Sequence, residues 1–216
     1  MTHVGIDYSL NSPSVTIDNG EKIMFMSFFN TDGAEWNREK PLKRFEMHNA
    51  LNGIVELYPY QRHHIDKGCS YAKEQSLKMS DAEMICEYIM HSIEKHVPNL
   101  EDTRISLEGF AYGSSGAAFI DLILFNSFLR KDIIKRIGYD SLEIIAPSTA
   151  KKLAGKGNAD KEYMIKAFMN NVLGDDKLAS TDLFKYVTSN DIDFKNIKPL
   201  DDIVDSYFIM KSQTLW

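Results

Sequence analysis

Two β-rich runs, 12–18 and 21–29, meet at Asn19-Gly20, a dipeptide suited to the positive φ angles of a two-residue hairpin. A third run, 3–9 (HVGIDYS), precedes them, so the chain opens strand, strand, strand. Downstream the pattern becomes alternation. Ile85, Tyr88, Ile89, Ser92, Ile93 and Val97 make one face of a helix over 80–97, followed by a strand at 103–108. A helix at 115–137, a strand at 142–146 and a short helix from Pro147 to Gly155 come next. A helix from about Asp160 to Gly174 and a last one over 199–212, with Pro199 at its start, complete the order. Three adjacent strands and then βα alternation predict an α/β fold with a mixed sheet, three antiparallel strands continued by parallel ones, and helices on both faces. Residues 30–78 break the pattern. They are polar, aromatic and aperiodic, and we read them as a partly helical insertion in a single domain spanning 1–216.

The 216 residues are 44% hydrophobic and 26% charged, proportions of a globular domain able to bury a core. Cys69 and Cys86 form neither a disulfide framework nor a C-x-x-C metal motif. The stretch MTHVGIDYSL lacks the basic-then-apolar pattern of a signal peptide, and the most apolar run, Phe119 to Leu129, is too short to span a bilayer. The expectation is a cytoplasmic protein with no membrane partner. The net charge of −6 speaks mildly against nucleic acid, but a metal site of four carboxylates would leave only −2 for the rest. Local clustering of cations decides the matter.

Four acidic residues stand where a carboxylate is costly unless it is paired or holds a metal. Asp7 follows the apolar Val4-Gly5-Ile6, and Glu108 ends Ile105-Ser106-Leu107. Asp202 and Asp205, three apart, share a face of the last helix. Singly, each also reads as a turn cap or a helix N-terminal charge. Together they are the equipment for phosphodiester hydrolysis by two divalent cations, and an all-oxygen ligand set favours Mg²⁺, with Mn²⁺ as substitute.

Between Pro147 and Lys166, Lys151, Lys152, Lys156, Lys161 and Lys166 face only Asp160 and Glu162, a local +3 suited to phosphate contact or to a solvated face. Gly155-Lys156-Gly157 permits close backbone approach, but no nucleotide P-loop is present. Gln61-Arg62-His63-His64 is open to the same two readings.

These blocks resemble, in order, the motifs of RuvC-type Holliday junction resolvases. V-G-I-D at 4–7 is similar to their first-strand motif, S-L-E-G-F at 106–110 to the strand carrying their second acid, and D-D-I-V-D-S at 201–206 to their closing motif. A-P-S-T-A-K-K-L-A-G-K-G-N-A-D-K-E at 146–162 resembles their basic segment. The resemblance implies an RNase H-like fold, a homodimer, and Mg²⁺-dependent cleavage of branched DNA with two ions per site. It implies Asp7, Glu108, Asp202 and Asp205 as catalytic metal ligands, with Asp201 one residue off the spacing. Lys161 matches the family's DNA-contacting lysine, and Lys151 or Lys152 an earlier one with a one-residue shift; Lys156 lies between them. The junction-wedging aromatic would fall at Ala111, so Phe110 and Tyr112, which flank it, become the candidate DNA contacts. Tyr8-Ser9 replaces the usual Pro-Gly. That departure and residues 30–78 resemble phage-encoded members, which would place the protein in host cytoplasm.

Three rivals share parts of this pattern. A sugar-kinase-type ATPase also carries G-I-D, but needs a second glycine-rich phosphate hairpin that is absent. An RNA–DNA hybrid ribonuclease and a non-catalytic junction-binding protein would use the same fold. Finally, Phe119, Ile120, Leu122, Ile123, Leu124, Phe125, Phe128 and Leu129 leave the helix at 115–130 almost no polar side. Its second face must be covered by residues 30–78 or by a partner, and the resemblance favours a second copy of the chain.

Overall fold

The computed structural model describes residues 1–31, 46–110, 115–194 and 197–213. Strands β1 (Thr2–Asp7), β2 (Ser14–Asp18) and β3 (Ile23–Asn30) form an antiparallel meander. The turn predicted at Asn19-Gly20 is present, with Gly20 at φ 93° and Asp18 accepting from its N–H. Strand β4 (Glu56–Tyr60) pairs parallel with β3. On the other side, β5 (Thr103–Glu108) pairs parallel with β1, and β6 (Leu142–Ile145) parallel with β5. The order is β4-β3-β2-β1-β5-β6, a mixed sheet of antiparallel then parallel strands with helices on both faces, as expected. Every strand except β2 runs the same way. The carboxyl ends of β1, β3, β4, β5 and β6 therefore all leave the sheet along one edge.

Helices α1 (Tyr71–His96) and α2 (Ala117–Ile137) cover one face. The other face carries α3 (Pro147–Leu153), α4 (Lys161–Met169), α5 (Asp176–Ser180), α6 (Asp182–Ser189) and α7 (Leu200–Ser212). Period-two alternation sorts the strand residues between these faces. Val4, Ile6, Val15, Ile17, Ile105 and Leu107 are fully buried beneath α1 and α2. The intervening positions on the α7 side are small: Gly5, Ser14, Thr16 and Ser106. This shallow strip lets α7 lie against β1 and β2. A Cβ at Gly5 would overlap the Ser206 carbonyl oxygen and the Met210 backbone nitrogen. Thr16 and Ser206 share a buried hydroxyl hydrogen bond of 2.6 Å, and Gln213 closes the far end on the Val4 carbonyl.

The stretch 30–78 supplies more regular structure than its composition suggests: among the described residues, a helical turn at 46–51, β4 and the first two turns of α1. Helix α1 starts nine residues before the predicted 80–97 face because Ser70 caps it, its side chain accepting from the Lys73 N–H. Helix α4 ends at Met169 rather than near Gly174, and α5 and α6 occupy a segment with no predicted element. In α2, Phe125, Leu129 and Ile133 are buried, and Leu122, Leu124 and Phe128 pack against the same core. Ile120 (65% exposed) and Ile123 (38%) remain outside. Most of the all-round apolar pattern is thus absorbed within the chain, by the sheet and α1. Among the described residues no helix is long and apolar enough to cross a membrane.

Candidate active site

Asp7 ends β1 and Glu108 ends β5, the adjacent strand, so both sit on the same sheet edge. Alternation aims both at the α7 side. Helix α7 runs back along β1 with its first turns at that edge, which brings Asp202 and Asp205 to the two strand-end carboxylates. Asp7 and Asp202 are buried, and Glu108 and Asp205 half-buried.

The electrostatics show how crowded this corner is. Burial, then the charges of Asp202, Glu108 and Asp205, push the Asp7 carboxyl well above the usual carboxylate range. Burial pushes Glu108 up to about 7, opposed by Lys151 and reinforced by Asp202. Burial, with Glu108 and Asp202, pushes Asp205 up to about 8. Asp202 is raised by burial despite the opposing pull of Lys198. All four groups feel one another, as a shared site requires.

Two lysines reach into the cluster. Lys198 Nζ lies 2.5 Å from both Asp202 carboxylate oxygens and 3.8 Å from Asp201. Ser12 donates to Asp202 at 2.5 Å, and Ser9 at 3.5 Å. Lys161 pairs with Asp201, which is buried and whose Oδ1 has no hydrogen-bond partner among the described residues. Asp201 thus belongs to the corner despite standing off the motif spacing. Lys198 is not among the residues the sequence singles out: it precedes the Pro199 cap of α7, so its four-residue spacing to Asp202 is not a helix-face pair. Ser9 and Ser12 carry no signal either, because a loop brings them.

The donor set suits a divalent cation in its chemistry. It is all oxygen, desolvated by burial and mutually repulsive, and beside it the buried Asp201 Oδ1 is without a hydrogen-bond partner among the described residues. Among the described residues, however, no three His, Cys, Asp or Glu side chains form a ready-made grip for an ion. Lys198 holds Asp202 in the arrangement seen here.

The remaining predicted contacts are distributed around the corner. Lys151 lies within electrostatic reach of Glu108 and Asp205. Lys152 packs its stem on Gly157, and Lys156 stands 4.4 Å above the Tyr163 ring. Phe110 meets Phe119 edge-on at 5.5 Å, with Arg130 stacked 4.9 Å from its ring. Tyr112 lies outside the described residues.

The raised carboxyls fix a sign for stability. Glu108 and Asp205 hold protons in the folded protein that the unfolded chain releases near pH 4, so the folded state binds more protons between about pH 4 and 8. Stability of the metal-free protein should therefore fall as pH rises from 6 to 9, and saturating Mg²⁺ should flatten the decline. Thermal melts in EDTA across this range test it; a melting temperature that climbs toward pH 9 would contradict the cluster's electrostatics.

No protein-family model matches the sequence. No curated protein matches it either. Among solved structures the chain is similar to one titled "Thermus thermophilus RuvC structure", at 12% identity and a TM-score of 0.46, covering 100% of this chain and 96% of that one.

Proposed function

We propose that this chain is a divalent-metal-dependent nuclease that cuts branched DNA, four-way junctions foremost, by two-metal-ion phosphodiester hydrolysis. The observation that carries the reading is the corner of four desolvated carboxylates beside a lysine-rich segment in an acidic protein. Asp7, Glu108, Asp202 and Asp205 would hold two Mg²⁺ or Mn²⁺ ions. When bound, the ions supply an activated water and stabilise the leaving oxygen. The protein's own groups do the rest. Ser12 orients Asp202, Asp201 positions Lys161, and Lys151 is placed to hold a phosphate facing Glu108 and Asp205.

The test is incubation of a synthetic four-way junction with the protein and Mg²⁺ or Mn²⁺, beside linear duplex, flap and RNA–DNA hybrid. Cleavage of the junction at paired positions is expected. Preferential cleavage of the hybrid would instead make the protein a ribonuclease. One observation favours a second reading, a junction-binding protein without catalysis: Lys198 occupies Asp202. Calorimetric titration with Mn²⁺ separates the two, since a binding-only protein would take up no ion at this corner.

Lys161→Ala should weaken junction binding and lower the slope of log affinity against log salt by about one. An unchanged slope would leave Lys161 serving only as Asp201's counter-ion. We further propose a homodimer using the exposed Ile120 and Ile123 of α2, so that two sites address the two opposed strands of a junction. Sedimentation equilibrium at micromolar concentration should give twice the chain mass; a monomer that persists with junction present would exclude paired cleavage.

A further inference from the structure

The segment Gln61–His64 and the residues that follow it stand on the same sheet edge as the carboxylates, at the opposite end from the lysine-rich segment. The strand order places them there. Residues 61–73 follow β4 at one edge of the sheet, and residues 147–161 follow β6 at the other. Asp7 and Glu108 lie between, on β1 and β5. Five strand steps separate the two flanks, about 24 Å at the usual inter-strand spacing.

The near part of this flank is fastened to the loop that serves the acidic corner. Leu10, three residues past Asp7, accepts from both the Tyr60 hydroxyl (3.3 Å) and the Arg62 guanidinium. Ser9 and Ser12 of the same loop hold Asp202. Arg62 also stacks 4.8 Å from the Phe125 ring. His63 is fixed by a buried carboxylate: Asp81 Oδ1 accepts from its backbone N–H at 3.0 Å and lies 2.6 Å from Nδ1. The imidazole side chain nonetheless stays 47% exposed.

Beyond His63 the surface becomes a recess lined in part by His64, Lys67 and Lys73. Both lysines are exposed, and among the described residues neither is ion-paired. Of the nearby acids, Glu74 is taken by Lys78 at 2.8 Å and Asp81 by His63. Among the described residues that line the recess, the one acid is Asp66, 3.5 Å from His64. An ordered, half-exposed imidazole leading into a concave pair of uncommitted lysines is chemistry for a run of phosphates.

We propose that His63, Lys67 and Lys73 form a second DNA-binding surface, which holds a different helical arm of a branched substrate from the arm gripped by the Lys151–Lys161 segment. The inference rests on the reading above that the chain binds branched DNA. It gives the stretch after β4 a function: selecting branched over linear duplex by requiring phosphates on both flanks of the carboxylates.

The experiment measures binding of the full-length protein to a fluorescent four-way junction and to a linear duplex of equal length, in Ca²⁺ across a series of salt concentrations. It compares wild type, Lys67→Ala/Lys73→Ala and His63→Ala, with melting curves to verify folding. For the double variant, the junction slope should fall by about two while the duplex slope stays unchanged, because each lost phosphate contact removes roughly 0.9. The preference for junction over duplex should drop at least severalfold. His63→Ala should reduce junction affinity alone, by a smaller factor. Equal losses on both substrates would overturn the second-arm assignment, and no loss on either would return these residues to a solvated surface. Wild type that binds neither DNA would sink the nuclease reading itself, an outcome distinct from the other two.

Discussion

Asp7→Asn should abolish junction cleavage while leaving binding nearly intact and making the metal-free protein melt a few degrees higher. The loss should be on the order of 10³-fold or more in rate, about 4 kcal/mol of barrier. The two effects have one cause. Asp7 is buried, and burial and three neighbouring carboxylates raise its pKa, so its charged form is disfavoured in the folded state. Asparagine keeps the shape and removes both the ligand charge and the repulsion. A stabilised, inactive variant is what a metal ligand predicts; a purely structural aspartate would lose stability instead. Mg²⁺ should raise the melting temperature of wild type and barely move that of the variant. Near-normal cleavage by Asp7→Asn would remove the two-metal assignment.

Gly5→Ala should be as damaging by a different route. A methyl group at Gly5 meets backbone atoms of Ser206 and Met210, not the flexible end of a side chain. Relief therefore requires α7 to shift away from β1. Overpacking of this kind costs about 3 kcal/mol, roughly 6–12 °C in melting temperature for a chain of this size. Activity should fall further than stability explains. Asp202 and Asp205 ride on α7 while Asp7 and Glu108 ride on the strands, so moving the helix separates the two halves of the site. Cleavage assayed well below the melting temperature checks this; a folded Gly5→Ala protein with full activity would show that α7 need not lie so close.

The central sheet was legible because its chemistry is local. Asn19-Gly20 marks the hairpin, and apolar alternation marks β1, β2 and β5 to within two residues at most ends. The carboxylate corner was legible for a related reason: an acid at the end of an apolar strand is conspicuous. Strand β4 was hidden because Glu56-Leu-Tyr-Pro-Tyr60 is an edge strand only partly buried, with Pro59 inside it, so no alternation survives. The first turns of α1 were hidden because Tyr71, Ala72 and Lys73 are exposed and contribute no apolar stripe. Lys198 was hidden because a lysine before a helix cap reads as solvated until tertiary packing draws it inward. The one-sided run of Gly5, Ser14, Thr16 and Ser106 is the signal that could have placed α7: small residues on one face of neighbouring strands announce a backbone coming close.

If the chain is the nuclease proposed, the docking of α7 on β1 also sets when in folding it could become active. Asp7 and the helix bearing Asp202 and Asp205 lie almost two hundred residues apart in sequence, and contacts of that separation form late, after more local ones have met the entropy of closing the loop. A partly folded chain can hold the β1–β3 meander, the β1–β5 pair and the α1–α2 face, all without α7. Such a species presents two carboxylates, not four. On the proposed function, competence to cut nucleic acid would coincide with completion of the fold, and incompletely folded molecules would be disarmed by their topology.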